Sequence, residues 1–274
     1  MRLLMLIILS GCTSLFYQPT RVLYATPERF NVAYEDVFFD SRDGTRLHAW
    51  FLKAKERKNI KGLVTFFHGN AQNLSAHFHI MAWLTEHGYD VFVFDYRGYG
   101  LSVGTPSPKL VHQDALAALE LSTQYLTKEK YPKWIIHGQS LGGIIAMRAL
   151  EDFKQHEKIN LLVLDCTFDS YDDIAFDKLT DHWLTFLFSP LAYVLISDAM
   201  APHKFFNDFN RPVLVMHGSE DHIIPSKFGR RIFERLKHDN KFWWSIENSQ
   251  HIDAFHAENA KQAKLLYLDY LTKN

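Results

Sequence analysis

The 274-residue chain has little with which to brace itself covalently, because its two cysteines, Cys12 and Cys166, sit in very different settings and argue against a disulfide framework. It also lacks a charge imbalance. Lys and Arg total 30 against 31 for Asp and Glu, and no stretch concentrates basic residues with aromatics, so nucleic acid is not an expected partner. Internal repeats and low-complexity tracts are missing too. So is an apolar run of the roughly 20 residues needed to cross a bilayer: the most apolar stretch, Trp183 to Ile196, is shorter and contains Pro190. What remains is 47% hydrophobic and 22% charged, enough for a large core in one domain.

The N-terminus carries one positive charge at Met1-Arg2, then the apolar run Leu3 to Leu9, then Ser10-Gly11-Cys12, a short secretory signal. The tetrad Leu9-Ser10-Gly11-Cys12 resembles the lipobox of bacterial lipoproteins. That resemblance implies cleavage after residue 11, a lipid on Cys12 and a chain anchored to a membrane of the bacterial cell envelope. Acyl chains contribute about 0.8 kcal/mol per buried CH₂, enough together to hold a protein that spans nothing. Thr13, where a retention signal would place Asp, points to the outer membrane, facing the periplasm. The plainer reading is an ordinary signal peptide or a buried N-terminal strand.

Residues 12–33 are aperiodic and read as a tether or an arm along the domain, which takes up residues 34–274. Tyr34 to Phe39 and Leu47 to Leu52 flank the turn signal Ser41-Arg42-Asp43-Gly44 and predict an antiparallel hairpin. Unbroken apolar runs then recur at Leu63 to Phe67, Val91 to Phe94, Trp134 to Ile136, Leu161 to Leu164 and Val213 to Met216, as in buried parallel strands. Helical spacing fills the gaps: Leu110, Leu116, Leu119 and Leu126 on one segment, Leu141, Ile144, Ile145 and Leu150 on another. The expectation is an α/β fold, a mostly parallel sheet with helices on both faces. Between Cys166 and Asn210 the rhythm breaks, and residues 167–209 read as a helical cap insertion.

The sharpest motif is Gly138-Gln139-Ser140-Leu141-Gly142, which follows one of those strands and opens a helix, as a nucleophile elbow does. Gly138 and Gly142 are required because a serine in so tight a turn brings the chain against its neighbours. A serine hydroxyl needs a base within reach and a third group to fix that base's tautomer. Asp221, after the strand Val213 to Met216, is the expected acid, with Asp165 and Glu220 as competitors. His251 is the expected base, on the loop between the strand Phe242 to Ile246 and a helix Ala257 to Leu271. His256 is its rival, expected in the first turn of that helix. His68, His137 and His217 read as packed structural groups at strand ends, while His77 and His79 would point apart on a helix, so no metal and no cofactor are expected. Leu141 and Asn70 are the expected N–H donors of an oxyanion hole.

His68-Gly69-Asn70, Asp95-Tyr96-Arg97-Gly98-Tyr99-Gly100-Leu101-Ser102, Gly138-Gln139-Ser140-Leu141-Gly142-Gly143, Gly218-Ser219-Glu220-Asp221 and His251 together resemble the α/β-hydrolase superfamily. The resemblance runs from Tyr34 to the C-terminus. It is strongest to single-domain serine esterases, a branch that includes membrane-associated acyl-protein thioesterases, and it departs from the HGGG carboxylesterases in having Asn70 after one glycine. It implies a serine hydrolase forming an acyl-enzyme, with Asp95 to Ser102 as a structural loop beside the pocket. A peptidase of the same fold and a non-catalytic envelope binding protein are the other readings. The cap should bury its apolar face partly on the sheet edge and partly over Ser140, which predicts an apolar acyl ester or thioester, a small or lipid-like molecule, as substrate.

Overall fold

The computed structural model of the chain describes residues 13–181, 183–256 and 260–273. Eight strands form one sheet: β1 Tyr34–Asp40, β2 Arg46–Leu52, β3 Gly62–Phe67, β4 Tyr89–Phe94, β5 Trp134–Gln139, β6 Leu161–Asp165, β7 Val213–Gly218 and β8 Lys241–Ile246. Their spatial order is β1-β2-β4-β3-β5-β6-β7-β8. The β1–β2 and β2–β4 pairs are antiparallel and all others parallel. The helices of ten residues or more are α1 Pro108–Glu129, α2 Leu141–Asp152, α3 Tyr171–Thr180, α4 Ser226–Arg235 and α5 Ala260–Lys273.

The unbroken apolar runs are explained by a sheet covered on both sides, since successive side chains of a strand point to opposite faces. Leu63 and Phe67 of β3, Phe92 and Phe94 of β4, and Leu162 and Leu164 of β6 pack in the cluster that holds α1, α2, α3 and α4. Val64 and Phe66, Val91 and Val93, and Leu161 and Val163 pack in the other, with α5. On α1 the expected stripe holds at Leu116 and Leu119, but Leu110, in the first turn, is exposed. The last helix is described from Ala260 and continues to Lys273, two residues beyond the expected Leu271; His256 precedes it in a turn.

Residues 13–33 lie against the domain: Tyr17 is buried, its hydroxyl 3.0 Å from that of Tyr171. Cys12 and the run before it are outside the described residues. Between β6 and β7, α3 is followed by a 3₁₀ segment, Phe186–Leu191, and a short helix, Ala192–Leu195. Ion pairs fasten the base of this cap to α4: Arg231 donates to Asp169 from Nε (2.9 Å) and to Asp173 from Nη1 (2.6 Å). The expected burial holds at the two ends of the insertion, where Phe168, Tyr171, Ile174, Phe205, Phe206 and Phe209 pack in the core, and fails in its middle. Trp183, Leu184, Phe186, Leu187, Phe188, Leu191, Tyr193 and Val194 are all exposed, whereas the small residues Ser189 and Ala192 among them are buried.

Candidate active site

Ser140 stands between β5 and α2 at φ 51°, ψ −122°, a conformation few L-residues adopt and one that lifts its side chain off the sheet. The backbone is held there by Ser140 N–H donating to Asp165 O (2.8 Å), and by Thr167 Oγ1 (2.6 Å) and Gly143 N–H (3.0 Å) donating to Ser140 O. The glycines are steric necessities. A Cβ on Gly138 would lie 2.7 Å from Gly143 Cα, and one on Gly142 would run into the Phe67 carbonyl and stand 2.6 Å from that of His68.

His251 comes from the loop after β8 and Asp221 from the loop after β7. The two loops are pressed together where Gly218 leaves no room for a Cβ between itself and the carbonyls of Ser249 and Gln250. His251 Nδ1 is 2.7 Å from Asp221 Oδ2 and its Nε2 is 3.1 Å from Ser140 Oγ. An ionised carboxylate can only accept, so Nδ1 carries the proton and Nε2 is free to accept the Ser140 hydroxyl. Burial alone would push the Asp221 carboxyl up, but His217, His251 and the Ile224 N–H hold it well below the usual carboxylate range. Its other oxygen, Oδ1, accepts from Ile223 N (2.9 Å) and Ile224 N (2.8 Å). Asp165, the competing acid, instead lies 3.6 Å from His137 and accepts from Gln139 (3.4 Å), while Glu220 is exposed.

The loop after β3 runs beside the nucleophile: a Cβ on Gly69 would be 3.4 Å from that of Ser140. Among the described residues, the backbone N–H groups of Asn70 and Leu141 donate to nothing, which leaves both for a developing oxyanion. Sequence reasoning missed what holds Asn70. Its side-chain oxygen accepts from the N–H of Gln18 in the arm (2.9 Å) and from the Tyr99 hydroxyl (3.1 Å), and Thr20 N–H donates to Gln72 O (3.1 Å). Ala71 and Gln72 are both left-handed, at φ 60° and 59°, so these arm contacts fix a strained loop. Backbone donors leave no signature in a side-chain pattern, so only the tertiary structure reveals them.

His77 closes the loop from below, its Nε2 donating to Ala71 O (3.2 Å). Burial, helped by the nearby His68, lowers its pKa to about 3 from 6.5. As pH falls below 6.5 the unfolded chain binds a proton that the folded one refuses until about pH 3. Stability is therefore full above that window and falls through it by up to about 1.4 kcal/mol per pH unit. Urea unfolding of His77→Gln between pH 7 and 4 should give a flatter dependence than wild type; an identical slope would place the acid sensitivity elsewhere.

His68 and His217 are buried and bonded to carbonyls, Nδ1 to Gly69 O (2.8 Å) and Nε2 to Ile224 O (2.7 Å); His137 Nδ1 meets the Tyr267 hydroxyl (2.8 Å). Cys166, His217 and Asp221 form one grouping with metal-ligand atoms within 4.8 Å. Its donors are committed otherwise, with Asp221 held by His251 and backbone N–H groups, and burial pushing the Cys166 thiol well up into its neutral form.

A family of hydrolases described as serine aminopeptidases matches residues 58–189. Over 243 residues the chain is 30% identical to the uncharacterized protein YfhR of Escherichia coli, covering 88% of this chain and 80% of that one. It is 31% identical over 240 residues to the α/β-hydrolase domain-containing protein WAV2 of Arabidopsis thaliana, 84% and 76% covered. The chain belongs to the α/β-hydrolase superfamily. An esterase of Pyrococcus furiosus shares this fold with a TM-score of 0.70 over 94% of this chain and 97% of that one, at 21% identity. The hydrolase is thus of the serine type, with Ser140, Asp221 and His251 in the chain order of its superfamily, serine then acid then histidine.

Proposed function

We propose that this hydrolase cleaves carboxylic esters or thioesters of apolar acyl groups. The supporting observation is a cavity of about 530 Å³ that reaches the oxyanion loop at Asn70 and is walled by Leu15, Phe16, Leu179, Phe188, Leu191 and Leu195. In acylation His251 Nε2 takes the Ser140 proton as Oγ attacks the acyl carbon, and the carbonyl oxygen becomes an oxyanion facing the N–H groups of Leu141 and Asn70. The tetrahedral adduct collapses as His251 returns the proton to the departing alkoxide or thiolate. Water, deprotonated by the same histidine, then releases the acid and restores Ser140.

Each methylene buried in such a cavity contributes about 0.8 kcal/mol, so two or three more should raise kcat/KM by about one to two orders of magnitude. A series of acyl esters with one leaving group, acetyl to octanoyl, tests this. The serine aminopeptidase description of the matching family favours a second reading, peptide or amide cleavage. Against it, the cavity's one charged wall residue among those described is Lys178, so a substrate α-ammonium would meet no carboxylate there. A flat acyl profile, or an aminoacyl amide cleaved faster than any ester, would replace the ester reading with the peptidase one.

We further propose that the protein is held at the bacterial envelope by lipid on Cys12, a reading supported by Leu9-Ser10-Gly11-Cys12. Cys12→Ser is expected to move the protein from the membrane to the soluble fraction with turnover of a soluble ester unchanged. Wild-type protein found wholly soluble on fractionation would overturn the anchor.

A further inference from the structure

A soluble monomer rarely exposes a contiguous apolar patch beyond a few hundred square ångströms. This cap turns Leu187 (82% exposed), Trp183 (79%), Phe186 and Leu191 to solvent, and Leu15 of the arm (71%) joins Leu191 at the wall of the acyl cavity. We propose that this outward face of the cap docks on the surface of a lipid bilayer, so that the cavity opens onto the membrane.

Three observations select a bilayer as the occupant. First, Thr13 exchanges hydrogen bonds with Ser197 at the cap's end, Ser197 N–H donating to Thr13 Oγ1 (2.8 Å). Thr13 directly follows Cys12 in the chain, the residue proposed above to carry lipid. The residue next to the proposed anchor is therefore held by the cap itself. Second, Leu15 and Leu191 are at once exposed and part of the cavity wall, so the exposed apolar face and the apolar cavity share a rim. Third, charged side chains of the cap and of α4 at its base are paired with one another, Lys178 with Asp181 and Arg231 with Asp169 and Asp173. Attraction is left to apolar area, which predicts binding to uncharged lipid surfaces and persistence at high salt. No helix among the described residues is long and apolar enough to cross, so the contact is interfacial.

Only the entry of substrate from the membrane rests on the ester reading; the docking does not. The test uses the full chain carrying Cys12→Ser, so that no attached lipid contributes, sedimented with phosphatidylcholine vesicles. A Phe186→Asp/Leu187→Asp variant in the same background shares residues 1–12, and the difference reads the cap alone. Neither residue lines the cavity. The variant should partition at least about tenfold more weakly, with hydrolysis of a short soluble ester unchanged and with the wild-type binding intact in 1 M salt. Leu187→Ser, a change at a solvent-facing side chain, provides a milder variant should the double one fail to fold. Equal binding of wild type and variant would overturn the proposal. So would a wild-type dimer in sedimentation velocity that the variant dissociates without any change in vesicle binding, which would assign the face to a second copy of the chain. Vesicle binding without ester turnover would sink the ester reading and leave docking standing, whereas turnover without binding would do the reverse.

Discussion

Ser140→Ala is expected to lower kcat for an acyl ester by on the order of 10⁴- to 10⁶-fold while leaving the fold in place. The size follows from the chemistry: the substitution removes the atom that forms the acyl-enzyme, and what remains is a cavity and two N–H donors acting on water. The small structural cost follows from the geometry. The hydrogen bond recorded for Ser140 Oγ is the one to His251 (3.1 Å), and the backbone contacts of the elbow, from Thr167, Gly143 and to Asp165, do not involve the hydroxyl. Losing one partly buried hydrogen bond costs about 1 kcal/mol, a shift of roughly 2–4 °C in Tm for a domain of this size. Calorimetry and ester turnover on the same preparation check both halves, and a fluorophosphonate should label wild type but not the variant. A folded variant with undiminished turnover would place the nucleophile elsewhere.

The sheet was legible in the sequence because two-sided burial writes itself as apolar runs; Val64 and Phe66 face one core and Leu63 and Phe67 the other, and the one polar residue between them, Thr65, is buried with its hydroxyl bonded to Ser122 and Trp134. Ser140 was picked out by its glycine-flanked motif and Asp221 and His251 by loop position after a strand, and the structure puts His251 within hydrogen-bond reach of both others. The middle of the cap was misread for a physical reason. Hydrophobicity states what a side chain avoids, not what covers it, and Phe186 and Leu187 look in sequence like any core pair although both are exposed. The grip of the arm on the oxyanion loop was invisible because Gln18 and Thr20 act there through main-chain groups that any residue except proline would supply. His217 was read as structural, and it is; its proximity to Asp221 Oδ2 at 3.4 Å depends on how the loop from His217 to Ile224 curls back, which spacing alone does not determine.

Asp221→Asn should lower kcat by roughly 10⁴-fold, the loss seen when a serine-hydrolase acid becomes an amide and its histidine is trapped in the wrong tautomer. The contacts of each carboxylate oxygen show why the effect is catalytic. Oδ1 accepts from the N–H groups of Ile223 and Ile224, a duty the asparagine oxygen performs equally well, so the loop after β7 keeps its shape. That leaves the amide nitrogen where Oδ2 faced His251 Nδ1 at 2.7 Å. An N–H₂ group donates, so it favours a bare Nδ1 and drives the imidazole proton to Nε2, where it can no longer accept from Ser140. The wild-type carboxyl, held well below the usual range despite its burial, stays ionised through the neutral pH range, so the orienting bond is not lost there by its own protonation. Asp165→Asn is the control. Its side chain faces His137 and Gln139, with no contact to His251 among the described residues, and turnover should fall by less than about tenfold, through stability alone. Paired measurement of kcat and Tm on the two variants decides the matter: if Asp165→Asn abolishes turnover at unchanged Tm while Asp221→Asn retains it, the acid of this hydrolase lies at the end of β6, and His251 must reorient to meet it.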